Sequence, residues 1–249
     1  MNSYGKLSTA FYDLDKPYPP PDALEFYLQF ARSADGPILE PMCGSGRFLI
    51  PIMQAGFEVT GVDASFSMLS ACRSRALHFG LSPNLVLQYL HQMNLPGIFG
   101  IAMIPEGSIC LLTDLVEVRQ ALRNIFLSLK PGAVFVVEID QKLAESSTTT
   151  AIGERSVQLP DGSQIVIRSS GKWDSTGEIM KGSNRYDLLQ DDQIIETEWE
   201  AFDLRYYHPK AFSDLLSNAG FDNIRYHSAY DPQQPEDQSE SLVFICARP

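Results

Sequence analysis

The chain has 249 residues, 44% hydrophobic and 20% charged, a balance that suits one large α/β domain or one domain with a substantial insertion. Its formal net charge is −12, with 31 acidic against 19 basic residues. No Lys/Arg cluster or basic amphipathic helix is present, which argues against nucleic acid and an anionic membrane as partners and favours a small-molecule substrate. No apolar run approaches the roughly 20 residues that span a bilayer, and the N-terminus lacks the basic start and apolar stretch of a secretory signal. The expected location is the cytoplasm. Cys43, Cys72, Cys110 and Cys246 form no Cys-x-x-Cys pair and only four histidines accompany them, so no metal site is expected and the thiols read as reduced and buried.

The first 22 residues end in Pro17-Tyr18-Pro19-Pro20-Pro21, which must be extended. Asp22 is the expected cap of a helix over Ala23–Ala31, with Leu24, Phe26, Tyr27, Phe30 and Ala31 mainly along one face. From Gly36 strands and helices alternate. Strands are expected over Pro37–Glu40, Glu58–Asp63, Asn84–Tyr89, Gly100–Ile104 and Ala133–Ile139. Helices are expected over Arg47–Ala55, from a cap at Ser65 to about Phe79, and over Leu115–Leu129, with a turn at Lys130-Pro131-Gly132. Continuous apolar strands between helices predict a parallel sheet covered on both faces. Residues 146–201 break that rhythm. Alternation such as Ser163-Gln164-Ile165-Val166-Ile167-Arg168, with turns at Asp161-Gly162 and Asp191-Asp192, predicts three or four antiparallel strands inserted after the fifth strand. A helix from Pro209 to Ala219, closed by Gly220, and strands over Asn223–Tyr230 and Leu242–Ala247 complete seven strands; the polar loop 231–237 separates the last two.

The chemistry concentrates in Ile38-Leu39-Glu40-Pro41-Met42-Cys43-Gly44-Ser45-Gly46-Arg47-Phe48, followed by Asp63 at the end of the next strand. Gly44 and Gly46 let the backbone turn sharply and approach a ligand with no Cβ in the way. The helix behind them offers free amides, and Asp63 is placed to accept two ribose hydroxyls at the carboxyl edge of a parallel sheet. A dinucleotide fingerprint needs a third small residue where Leu49 stands, and a phosphate-cradling Gly-Lys-Ser/Thr loop is absent. Glu40 and Asp63 would repel a pyrophosphate, whereas S-adenosylmethionine carries a cationic amine and sulfonium that suit an acidic rim.

With these motifs the chain resembles the class I S-adenosylmethionine-dependent methyltransferases, and within them the small-molecule, sugar-amine N-methyltransferase-like group, over nearly its whole length. Glu40-x-x-Cys43-Gly44-Ser45-Gly46-Arg47 resembles the family's first motif, and Gly61-Val62-Asp63-Ala64-Ser65-x-x-Met68-Leu69 its ribose-binding strand end. Residues 99–108, Leu129-Lys130-Pro131-Gly132-Ala133, Arg205-Tyr206-Tyr207-His208 and Ala219-Gly220-Phe221 resemble later motifs. The resemblance implies a single Rossmann-like domain over residues 1–249, with a doubly wound, seven-stranded, mostly parallel sheet. It also implies an N-terminal cofactor lid and helix in residues 1–35, to which Phe11-Tyr12-Asp13 belongs.

The implied cofactor contacts are Tyr12, Glu40, Met42, Cys43, Gly44, Gly46, Arg47, Asp63, Ala64, Met68, Gln92, Met93 and Ile104. Asp63 would hold the ribose, with Ala64 and Met68 flanking the adenine. Gln92-Met93 departs from the family's Asp-Met, although a carboxamide can still accept from the adenine amino group. Acceptor contacts are expected from Glu106, Arg205, Tyr206 and His208, with Tyr12 also a candidate. No catalytic base is assigned. Ile104-Pro105-Glu106-Gly107-Ser108 is not the Asn/Asp-Pro-Pro-Tyr of enzymes acting on nucleobases or glutamine. The cofactor contacts are expected almost entirely before Pro105, and the insertion, with Trp173, Tyr186 and Trp199, is expected to roof the acceptor or make a subunit contact. The function implied is methyl transfer to N or O of a small molecule by a monomer or homodimer. The alternative is a non-catalytic S-adenosylmethionine-binding or scaffold protein.

Overall fold

The computed structural model describes residues 4–141, 151–174, 176, 178–230, 235–236 and 239–249. Helices α1 (Lys6–Asp15) and α2 (Pro21–Ser33) come first. They precede β1 (Ile38–Pro41), α3 (Leu49–Gln54), β2 (Val59–Asp63), α4 (Phe66–His78), β3 (Asn84–Leu87), β4 (Phe99–Ile104), α5 (Leu115–Ser128) and β5 (Leu129–Asp140). The inserted strands are β6 (Ala151–Gln158), β7 (Gln164–Trp173), β8 (Ile179–Gln190), β9 (Gln193–Ala201) and β10 (Leu204–Arg205). The chain then returns through α6 (Pro209–Ala219), β11 (Asp222–Ser228) and β12 (Ser241–Ala247).

The main sheet has seven strands in the order β11-β12-β5-β4-β1-β2-β3. All its pairings are parallel except β12 with β5 and with β11. The mostly parallel, doubly wound fold is therefore as the sequence led us to expect. The period of two sorts each strand between two cores. Along β4, Ala102 and Ile104 pack with α5 and α6, while Ile101 and Met103 pack with α2, α3 and α4. Strand order reverses between β1 and β4, and in such sheets the crevice beyond the carboxyl ends at that point is where ligands bind.

The insertion is an antiparallel sheet, β10-β8-β7-β6, with β9 also paired to β8. Its expected start, residues 146–150, lies outside the described residues, as do 231–234 and 237 of the expected loop. Asp191 and Asp192, both at positive φ, make the tight β8–β9 turn. Lys130-Pro131-Gly132 does not interrupt β5. Its turn is absorbed as a register shift against β4, with Gly132 at φ 81.

Helix boundaries differ where caps decide them. Pro21, not Ala23, opens α2, because its fixed φ and missing N–H suit the first helical position, and Asp22 lies inside the first turn. Helix α3 starts at Leu49, since residues 44–48 are spent in the glycine turn. Ser65 caps α4 through the Met68 amide, and Gly220 closes α6 at φ 110. Helix α1 was not expected. Its Leu7 and Phe11 are buried against Ile165, Ile167 and Tyr186 of the insertion, so α1 packs on the second sheet.

Candidate active site

A cleft of about 540 Å³ opens over the carboxyl ends of β1, β2 and β4 and is walled by α1 and the end of β9. Its floor is the glycine turn. Gly44, at φ 53, faces open space, where an added Cβ would find only the Met68 sulfur at 3.8 Å. Gly46, at φ 82, is tightly packed, and a Cβ there would lie 2.6 Å from Cys72 Sγ. One glycine therefore leaves room for a ligand, while the other lets α4 close against the turn. Asp63 ties β2 to that floor, its two carboxylate oxygens accepting from the Gly44 amide at 2.9 Å and the Ser65 amide at 2.8 Å. Burial pushes its carboxyl up from the ordinary range, against those amide bonds.

Two non-glycine residues at strand ends hold left-handed backbone, Met42 (φ 60) after β1 and Glu106 (φ 55) after β4. Each costs on the order of 1–3 kcal/mol, a strain typical of ligand clamps, and both line the cleft. Glu106 is held from two sides. Its carboxylate pairs with Arg47 at 2.7 Å, and its amide donates to Glu138 Oε2 at 2.9 Å. Arg47 also donates from Nε to the Tyr18 carbonyl at 2.8 Å, joining the N-terminal segment to the glycine turn. The Tyr230 hydroxyl donates to the same Glu138 oxygen. Burial raises the Glu138 carboxyl to about 7 even against these two hydrogen bonds. Asp140, likewise raised by burial, lines the cleft, and a Cβ on Gly107 would come within 3.0 Å of its carboxylate.

Two buried acceptors here have no hydrogen-bond partner among the described residues, Glu40 Oε2 beneath the floor and Gln88 Oε1 on the wall. Burial, then the nearby Asp63, holds the Glu40 carboxyl well above its usual range. Unsatisfied buried acceptors are costly and suit a ligand that brings donors. The lining charges agree: Asp63, Glu106, Glu117, Asp140, Glu200 and Asp203 face Lys16 and Arg47. Such a cleft favours cations and disfavours phosphates.

Residues 38–132 match the family model for a methyltransferase domain. The chain carries a methyltransferase domain. With that family go an enzyme and the cofactor S-adenosylmethionine. The provisionally named methyltransferase YqeM of Bacillus subtilis (strain 168) is 25% identical over 247 residues, covering 94% of this chain and 92% of that protein. An S-adenosylmethionine-dependent methyltransferase from Clostridium acetobutylicum ATCC 824 superposes with a TM-score of 0.78 at 16% identity, covering 99% of each chain. The sugar N-methyltransferase KedS8 from Streptoalloteichus sp ATCC 53650 does so at 0.75 and 18% identity, over 100% of this chain and 96% of that one.

Of the cofactor residues expected from the sequence, Tyr12, Met42, Gly44, Arg47, Asp63, Ala64 and Met68 line the cleft. Glu40, Cys43, Gly46 and Ile104 are buried behind it. Gln92 is exposed and Met93 buried, and both border a separate cavity of about 260 Å³. The short 3-10 turn at Leu90–Gln92 carries Gln92 away from the cleft, where Gln88, Tyr89 and Leu90 stand instead. Among acceptor candidates, Glu106 lines the cleft. Arg205 bonds the Thr113 carbonyl and Glu178, Tyr206 packs on Trp173 at 4.8 Å, and His208 is exposed before α6. Trp199 is 63% exposed and Tyr186 lies in the small core under α1. The insertion instead contributes Glu200, and Ala201–Leu204 follow it into the wall, so the cleft draws on residues far beyond Pro105. No cluster of His, Cys, Asp and Glu that could hold a metal occurs among the described residues, and no described helix is long and apolar enough to cross a membrane.

Proposed function

We propose that this methyltransferase transfers the methyl group of S-adenosylmethionine to a nitrogen of a small, amine-bearing acceptor. The observation that carries the reading is the charge of the cleft wall, where carboxylates outnumber cations and Arg47 is already engaged by Glu106. In this reading Asp63 holds the ribose, Ala64, Met68 and Gln88 border the adenine, and Gly44, with Glu40 buried beneath it, receives the amino-acid end. The cofactor supplies an activated methyl on a sulfonium. An acceptor arriving as an ammonium is drawn to the acidic wall at Asp140, and it must release a proton to solvent before its lone pair can attack. Alignment of nucleophile and methyl group accounts for roughly 7–11 kcal/mol of such catalysis, so no dedicated base of unusual strength is required. The neighbour KedS8, a sugar N-methyltransferase, supports an amine as the acceptor.

Titration calorimetry with S-adenosylmethionine, S-adenosylhomocysteine and NAD tests the cofactor, with micromolar binding of the first two expected, about −8 kcal/mol. Preference for NAD would end this reading. A panel of amines, amino sugars and hydroxylated metabolites, assayed for S-adenosylhomocysteine release, tests the acceptor. Turnover of an alcohol but no amine would move the site to O-methylation. Silence across the panel despite cofactor binding would favour a non-catalytic binding protein.

A further inference from the structure

We infer that β9 of the insertion is the seat of the N-terminal helix, and that Glu198 is a positioning residue for cofactor binding. The inference rests on the reading of the cleft as the S-adenosylmethionine site. Alternate residues of β9 point one way, and three glutamates meet the segment 4–8 in succession. Glu196 lies 3.8 Å from Lys6, Glu198 accepts from the Leu7 and Ser8 amides at 3.0 Å each, and Glu200 lines the cleft that Tyr4 also lines. The first pair is exposed and contributes little. The second is the anchor. The amides of Leu7 and Ser8 are those a capping side chain satisfies, and Gly5, at the cap position, has no side chain to offer. The half-buried Glu198 carboxylate does that from another sheet, at the end of the helix where the dipole favours a negative charge.

A ten-residue helix is marginal by itself, so its position depends on such contacts. Helix α1 is also pinned on its other flank, where Ser65 Oγ donates to the Tyr4 carbonyl at 2.6 Å and Asp13 pairs with Arg75 at 2.9 Å. Between the two flanks Tyr4 and Tyr12 stand in the cleft wall, their rings 6.0 Å apart edge to face. Glu198 therefore reaches the cofactor site through the helix, without touching it.

The contact can be broken from either side. Glu198→Ala removes the acceptor. Gly5→Ala places a Cβ at 2.4 Å from Glu198 Oε2, so the carboxylate must swing off the helix end. The probe is S-adenosylhomocysteine in calorimetry, with hydrogen exchange of residues 6–15 and thermal unfolding measured on the same full-length proteins. Both variants should weaken binding roughly tenfold, the scale of a lost cap, with faster exchange confined to α1. Glu198→Gln keeps one acceptor oxygen but turns its NH₂ against the other amide, and should fall between wild type and Glu198→Ala. In a Tyr4→Ala, Tyr12→Ala background the Glu198→Ala factor should fall towards one, because both cleft side chains that the segment carries have been removed. Faster exchange in α1 with unchanged affinity would overturn the positioning role and leave only a structural cap. Persistence of the full factor without the two tyrosines would overturn the route. Failure of the wild-type protein to bind the probe would overturn the reading of the cleft and the role with it, and normal exchange in Glu198→Ala would show independently that the seat itself is wrong.

Discussion

Glu138 offers a magnitude that the structure fixes closely enough to be refuted. Its carboxyl is 5% exposed and raised from 4.5 to about 7, with burial the cause. A group whose folded value lies above its unfolded one stabilises the fold in its protonated form. That contribution is complete below about pH 4.5 and is lost as pH rises through 7. With about 1.4 kcal/mol per unit, the whole effect is about 3 kcal/mol, most of it between roughly pH 5 and pH 8. Glu138→Gln removes the titration and keeps the shape. With the amide oxygen in the place of Oε2, it can accept from both the Glu106 N–H and the Tyr230 hydroxyl. Urea unfolding of both proteins at the two pH values should therefore show the variant gaining about 2–3 kcal/mol on the wild type as pH rises. The comparison matters because Glu40, Asp63, Asp140 and Glu200 are raised too and tilt the parent curve the same way. A stability difference that stays constant with pH would show that Glu138 is ionised in the folded protein throughout, and the account of its burial would be wrong.

Three further outcomes bear on the cleft. Asp63→Ala should weaken S-adenosylhomocysteine binding by about 1.5–3 kcal/mol in calorimetry; because the carboxylate also holds the Gly44 and Ser65 amides, the ligand-free melting temperature should fall as well. Gly46→Ala should lower the melting temperature sharply, since its Cβ meets Cys72 Sγ, whereas Gly44→Ala should cost about 1 kcal/mol of backbone strain and show its main effect in binding. Gln88→Ala should weaken cofactor binding and Gln92→Ala should leave it within error; the reverse ranking in calorimetry would put the adenine beyond the 3-10 turn.

The parallel domain was legible because its signals are local. The apolar strands, the glycine turn, the Ser65 cap and the Gly220 stop each depend on residues within a few positions. Gln92 shows the limit of motif position. A one-turn 3-10 segment rotates it outward, and periodicity does not register so short a turn. The pairing of β2 with β3 held a usable signal, since Asp63 lies opposite Leu87 and Gln88 is thus the next residue at the strand end. Arg205 and Tyr206 stand outside the cleft lining for another reason. Family position brings them near the cleft, but Glu178 and Trp173 of the insertion engage them, and the insertion has no pattern that names its partners.

Helix α1 carries this furthest. Leu7 and Phe11 stand one turn apart, yet the segment has no cap of its own and precedes a proline run, so nothing nearby marks it as a helix. What completes it is a carboxylate 190 residues away in the chain and a small apolar core supplied by β7 and β8. Helix α1 rests on that second sheet. Helix α1 and the insertion are thus tied at several points, with Arg155 of β6 paired to Asp15 at 2.7 Å as a further contact. Deleting the insertion would therefore remove Glu200 from the cleft wall and, in the same cut, the support of α1, on which Tyr12 stands. Single substitutions on β9 perturb the two separately, because Glu198 faces the helix while Glu200, two residues on, faces the cleft.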